Sequence, residues 1–206
     1  SWERMIMGRE LLKKTMRTSI SEVLEKMFFL PLDFSEAETP GELWEDPGAA
    51  DLMAVQMSFS GPFSGSLIFL IPRKLGVDMT ADFMGIERDA VVPAEHVEQT
   101  AKEILNMIAG STFGRLDDQA VFELGIPETT PAETALKELS TRGEYLFHGV
   151  DTLESRIGLV LLGVWWFSTG SPSRKSWRGR PPGMWSRSIT TCSGWKIRAL
   201  TFSSWR

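Results

Sequence analysis

The chain has one cysteine, Cys192, and two histidines, so no internal disulfide can form and no Cys/His cluster has the spacing of a metal site. Zinc binding and redox chemistry are therefore poor readings, and a reducing compartment fits. No run approaches the roughly 20 apolar residues that a membrane-spanning helix needs. The longest candidate is Ile157 to Phe167. The start, Ser1 to Lys14, mixes Glu, Arg and Lys with apolar residues and lacks a signal-peptide core with a small-residue cleavage site. These absences make the protein cytoplasmic on expectation, with no membrane partner. The sequence opens on Ser1 and not on Met, which leaves an upstream piece open.

Acidic residues are missing altogether from Trp165 to Arg206, where eight basic residues stand. Taking those eight from the total of 22 leaves 14 bases against 27 acids in the remainder, a net charge of −13. An acidic body is a poor nucleic-acid surface, because phosphate contacts require clustered Lys and Arg. Its partner is expected to be a protein. What the chain does have is 42% hydrophobic and 24% charged residues over 206 positions, enough for one domain with a real core.

Apolar residues at Leu11, Leu12, Met16, Ile20, Val23, Leu24, Met27 and Phe28 predict a long amphipathic helix over Gly8 to Phe28, with an irregularity near Thr18. A short strand is expected over Leu30 to Phe34, and a Pro-, Gly- and acid-rich loop over Glu36 to Ala49. Alternation over Leu52 to Phe59, turn residues Gly61 to Gly65 and an apolar run Ser66 to Ile71 predict a β-hairpin. Leu75 to Met84 reads as a short helix stopped by Gly85. Pro93 then opens a second long helix reaching about Gly110 or a little beyond. Val121 to Gly125, Tyr145 to Val150 and Arg156 to Val164 are expected strands, the last two a hairpin. The fold class is α+β: two long helices on one face of a largely antiparallel sheet, in a pseudo-two-fold repeat, with the domain covering residues 1–164.

On the second long helix, Val97, Ala101, Ile104, Leu105 and Ile108 gather on one side. Gln99, Glu103, Asn106 and Gly110 fall in a narrow sector opposite, with His96 beside them. Glu103 and Asn106, three apart, are surface neighbours. Neither Asn nor an interior Gly is what helix stability selects. A Glu-x-x-Asn on an exposed face is by itself a common accident, and the ordinary reading is a solvated surface.

The surrounding pattern is more specific. Glu103-Ile-Leu-Asn106-Met-Ile-Ala-Gly110 resembles the E-x-x-N-x-I-x-G core of the CheC, CheX and FliY phosphatase helix. Upstream, Phe59-Ser-Gly61-Pro-Phe63-Ser-Gly65-Ser-Leu-Ile-Phe-Leu-Ile-Pro72 looks like that family's glycine hairpin, strand and proline. Downstream, Phe122-Glu-Leu-Gly-Ile-Pro127 resembles the strand and proline after the helix. The blocks stand in family order, over roughly residues 10 to 163. Gln99 departs from the usual Asp or Ser four residues before the Glu, and the spacing to Pro127 is slightly short. In the first helix Ser21-x-x-x-Glu25 matches the start of the motif, but Phe28 stands at the Asn position, so one site per chain is expected, as in CheX.

The resemblance implies a phosphatase for the aspartyl phosphate of a CheY-type response regulator in chemotaxis. Asn106 would position the attacking water and Glu103 would pair with a lysine of the regulator, with Gln99 and Gly110 as partner contacts. It implies no cofactor in the chain itself, Mg²⁺ being carried by the phosphorylated regulator. CheX-like relatives form homodimers through sheet edges, and these residues leave open whether this chain does. A second reading is a non-catalytic module that binds a regulator or flagellar switch component, and the Gln99 departure is its best argument.

The segment Trp165 to Arg206 holds six of the eight Trp and has no helical or strand period. A basic, aromatic tail can touch nucleic acid or membrane. Its Trp, Arg, Ser, Gly, Pro composition is also that of a GC-rich gene read out of frame, with the break inside the last strand. A frameshifted or otherwise non-native extension is the favoured reading.

Overall fold

The computed structural model describes residues 2–47, 50–87, 91–116, 121–142, 144–153 and 155–164. The tail assigned to 165–206 lies outside the described residues. Helix α1 spans Trp2–Ser21 and runs on as a π-helical turn, Glu22–Met27. Then come β1 (Leu32–Phe34), α2 (Pro40–Leu43), β2 (Leu52–Ser60), β3 (Ser64–Pro72) and α3 (Arg73–Met84). The second half holds α4 (Ala94–Leu116), β4 (Glu123–Leu124), β5 (Glu128–Pro131), α5 (Ala132–Arg142), β6 (Tyr145–Thr152) and β7 (Arg156–Val164).

All strand pairings are antiparallel, in the order β1-β6-β7-β3-β2-β4, with β5 also on β2. That order reads the same under exchange of β1 with β4, β6 with β2, and β7 with β3, which is the pseudo-two-fold expected. Each half runs helix, strand, short helix, hairpin. The halves meet at the β3–β7 seam, in register from Ser64 opposite Val164 to Leu70 opposite Gly158.

Strand alternation sends two sets of residues to opposite faces. Val55, Met57, Phe59, Leu67, Phe69, Leu159 and Leu161 face α1, α3 and α4, and this is the larger core. Ala54, Ile68, Leu70, Phe147, Val160 and Leu162 face the other way, against Leu43 and Trp44 of α2 and Ala135 and Leu139 of α5. The second face is therefore covered, by elements the sequence pattern did not reveal. Gly149 and Gly158, opposite each other, make room there. A Cβ on Gly149 would meet Leu43 at 2.9 Å, and one on Gly158 would meet Trp44 at 3.0 Å.

The irregularity in the first helix falls later than Thr18, in the π turn. It closes with Phe29 at φ 51° and a Leu30 N–H donated to the Leu24 carbonyl at 3.0 Å, a helix stop normally given to Gly. Helix α3 stops at Gly85, φ 65°, with Ile86 N–H donating to the Ala81 carbonyl at 2.9 Å.

The two long helices superpose in pattern. Buried Leu12, Thr15, Met16, Ser19, Ile20, Val23 and Leu24 correspond, each 89 positions on (12 to 101), to buried Ala101, Ile104, Leu105, Ile108, Ala109, Thr112 and Phe113. By this matching Glu103 answers to Lys14 and Asn106 to Arg17. The Ser21, Glu25 and Phe28 set therefore does not occupy the equivalent place. Phe28 lies past the helix end, stacked on Phe83 with centroids 5.2 Å apart. The first helix still carries no Glu-x-x-Asn pair, because its equivalent positions are both cationic.

Candidate functional site

Helix α4 owes its place to the large core and to an aromatic clamp at its C-terminal end. Val97, Ala101, Ile104, Leu105 and Ile108 are buried, as their period requires. Phe113 sits 4.5 Å from Phe59 of β2 and 4.6 Å from Phe122, ring centroid to centroid, and Phe63 lies 5.3 Å from Phe122. This ties the end of α4 to the β2–β3 hairpin and to the segment after the helix. Those phenylalanines lie up to 63 residues apart in sequence, from Phe59 to Phe122, so periodicity could not find the clamp. Near the other end, Thr129 Oγ1 donates to Glu98 at 3.1 Å and links β5 to α4. Arg115 pairs with Glu22 across the two long helices.

On the outer side of that anchored helix, Gln99 is exposed and Glu103 and Asn106 are half-buried. The three line up along one stripe and reach water. Gly110, expected on the same water-facing sector, is buried instead, because a glycine has no side chain with which to reach past its neighbours to water. His96, beside the stripe, is half-buried.

Glu103 and Asn106 touch. The carboxylate accepts a hydrogen bond from the Asn106 amide. Burial raises the Glu103 pKa above the ordinary carboxylate value, and the bond from Asn106 opposes that shift only in part. No lysine or arginine among the described residues pairs with it. The carboxylate is thus partly desolvated and without a counter-charge, an arrangement that an incoming cation would stabilise. Asn106 keeps its other hydrogen-bonding capacity, since an amide carries two N–H groups and two acceptor lone pairs.

Among the described residues no group of His, Cys, Asp and Glu could hold a metal ion. No described helix is long and apolar enough to cross a membrane. The stripe can offer one carboxylate, two amides and hydrogen-bond geometry.

This is an α+β domain with the Glu103–Asn106 pair on the second of two pseudo-equivalent helices, and comparison with known proteins agrees on the fold. The family model for chemotaxis phosphatase CheX matches residues 53–147, a span that includes all of α4. Solved structures of the same fold include the CheX–CheY–BeF3–Mg²⁺ complex from Borrelia burgdorferi, 19% identical, TM-score 0.56, covering 73% of this chain and 96% of that one. CheX from Vibrio vulnificus follows at 15% identity and TM-score 0.54, covering 73% and 95%. FliY from Thermotoga maritima is 12% identical with a TM-score of 0.52, covering 76% and 88%. No curated protein matches the chain by sequence. Residues 53–147 thus match the CheX family model, and the solved CheX and CheC-like structures share the fold of this chain.

Proposed function

We propose that this protein is a chemotaxis phosphatase that hydrolyses the aspartyl phosphate of a CheY-type response regulator in the cytoplasm. The observation that carries the reading is the Glu103–Asn106 pair on the outer face of a rigidly anchored helix, inside the span matched by the family model. Support for the partner comes from the Borrelia burgdorferi relative, whose complex holds CheY, Mg²⁺ and BeF3, a chemical stand-in for a phosphoryl group.

In this mechanism the regulator brings both the phosphoryl group and the Mg²⁺ that stabilises its charge. Phosphoryl transfer then requires chiefly a water held in line with the breaking P–O bond. The Asn106 carboxamide orients that water. Being neutral, it does not repel the anionic phosphoryl group as a carboxylate there would. Glu103 binds a lysine of the regulator, and its lack of an internal counter-charge favours that pairing. The hydrogen bond between the two side chains keeps the amide aimed while Glu103 docks. Gln99 lies one turn back on the stripe and contributes a contact through its amide. Gly110 enters only as a position without a side chain beyond Asn106.

The test is the lifetime of a phosphorylated CheY-type regulator with and without this protein. Accelerated loss of phosphate is expected. Complex formation with an unchanged lifetime would instead make the chain a binding module and defeat the enzymatic reading.

A further inference from the structure

Asn106 has a charged neighbour on each side. At about 100° per residue around α4, Lys102 falls on one flank of Asn106 and Glu103 on the other. Lys102 stands four residues before Asn106, so the two side chains leave the helix as neighbours, about 5 to 6 Å apart at Cβ. Consecutive Lys102 and Glu103 diverge, and no ion pair joins them. Lys102 is half-buried, like Asn106. Its four-carbon stem carries the ammonium further from the helix than an asparagine carries its amide.

Other helical lysines are neutralised locally. Lys26 pairs with Glu22 at 3.2 Å and Lys74 with Asp78 at 3.1 Å, each an acid one turn away. Lys102 has the same opportunity in Glu98, four residues earlier and in the order that helices favour. Glu98 instead accepts from Thr129 Oγ1 at 3.1 Å. One turn ahead of Lys102 stands Asn106, where Lys74 has an acid. Among the described residues Lys102 therefore makes no ion pair. A cation left over beside Asn106, on a body with 27 acids against 14 bases, is a site for an anion brought from outside.

We propose that the Lys102 ammonium contacts the phosphoryl oxygens of the bound regulator, as a second group of this chain on the reacting centre. The contact rests on the reading of a phosphorylated regulator as partner and gives a role to a residue that reading left out. In hydrolysis the water oxygen bonds to phosphorus while the bond to the aspartyl oxygen breaks. The dianionic aspartyl phosphate becomes a carboxylate and a dihydrogen phosphate, which keeps both hydrogens of the water. Negative charge stays on the equatorial oxygens throughout, where a fixed cation stabilises it. Lys102 remains protonated and transfers nothing. The stripe thus sorts charge: Glu103 takes a cation of the regulator, Lys102 takes the phosphoryl oxygens, and the neutral amide between them holds the water. An acidic side chain of the regulator is the rival anion, and Lys102 would meet that one with or without phosphate.

The experiment uses the full chain and a CheY-type regulator in two forms, unmodified and carrying BeF3 with Mg²⁺, with affinity read by titration calorimetry. Wild type is expected to bind the BeF3 form about tenfold or more tightly than the unmodified one. Lys102→Met should weaken the BeF3 complex about tenfold and leave the unmodified complex within about twofold, while Lys102→Arg keeps the preference. Single-turnover dephosphorylation should slow about tenfold in Lys102→Met and recover in Lys102→Arg. Both variants should keep the native circular dichroism spectrum. No preference in the wild type, an unchanged preference in Lys102→Met, or equal weakening of both complexes would overturn the contact. Accelerated phosphate loss by the wild type with an unchanged preference in Lys102→Met would sink the contact and leave the phosphatase reading standing. A preference that depends on Lys102, without any hydrolysis, would keep the contact and remove the phosphatase reading.

Discussion

The Glu103 carboxylate accepts a hydrogen bond from the Asn106 amide one helical turn further along α4, and both side chains still reach water. If Asn106 orients the hydrolytic water, Asn106→Ala should slow regulator dephosphorylation about a hundredfold, the size of effect expected when positioning is lost. Half-buried Asn106 carries little of the core, so the circular dichroism spectrum and thermal midpoint should hold. Phosphate-release kinetics on the variant check this, and activity near wild type would remove the amide from the mechanism.

Glu103 should show a conflict between function and stability. Its raised pKa means that burial disfavours the charged form, a penalty absent below the unfolded carboxylate value and present at neutral pH. Glu103→Gln removes that charge while preserving size and hydrogen bonding. The variant should unfold at equal or higher denaturant concentration at pH 7 and bind the phosphorylated regulator at least tenfold more weakly. Titration calorimetry and urea melts read the two effects separately.

His148 is buried with neither ring nitrogen hydrogen-bonded, and its pKa is lowered to about 3, first by burial and then by Arg17 and Lys13. The folded value lies below the unfolded value of 6.5, so the unfolded chain takes up the proton more readily. Stability is complete above that value and falls as the pH drops toward the folded pKa, by about 2 kcal/mol at pH 5. Urea melts between pH 7 and pH 5 should show this slope, and His148→Leu should flatten it.

Phe29 stands in the left-handed region at φ 51°, with 84% of its surface exposed. A residue with a Cβ loses roughly 1 kcal/mol there, and the exposed ring regains little. Phe29→Gly should therefore stabilise the chain by about 1 kcal/mol, less some entropy of the unfolded glycine. A lower melting midpoint would show that the ring packs on something that compensates.

The parts of this fold legible in the sequence are those where one periodic signal decides the outcome. Helix α4 and the β2–β3 and β6–β7 hairpins are of that kind, since apolar spacing and turn residues agree over many positions. Helix α5 was missed because it buries only Ala135 and Leu139, a stripe two residues long, although Thr130-Pro131-Ala132-Glu133 offers a helix start. Gly110 was misplaced for another reason. A helical wheel gives direction and not depth, and a glycine on the outer sector has no side chain to carry it out to water. The pseudo-equivalence of Asn106 with Arg17 also needed coordinates, because the two helices share a burial pattern while differing in nearly every side chain.

The palindromic strand order has a consequence for synthesis. Strand β7 emerges last among the described elements, yet it lies inside the sheet, bonded to β6 on one side and to β3 on the other. Until Arg156–Val164 leaves the ribosome, the backbone N–H and C=O groups along one side of β3 form an open margin with no strand to pair. Such a margin invites non-native pairing. The N-terminal half is thus obliged to wait for the C-terminal one, and any error of translation between Arg156 and Val164 would disable both.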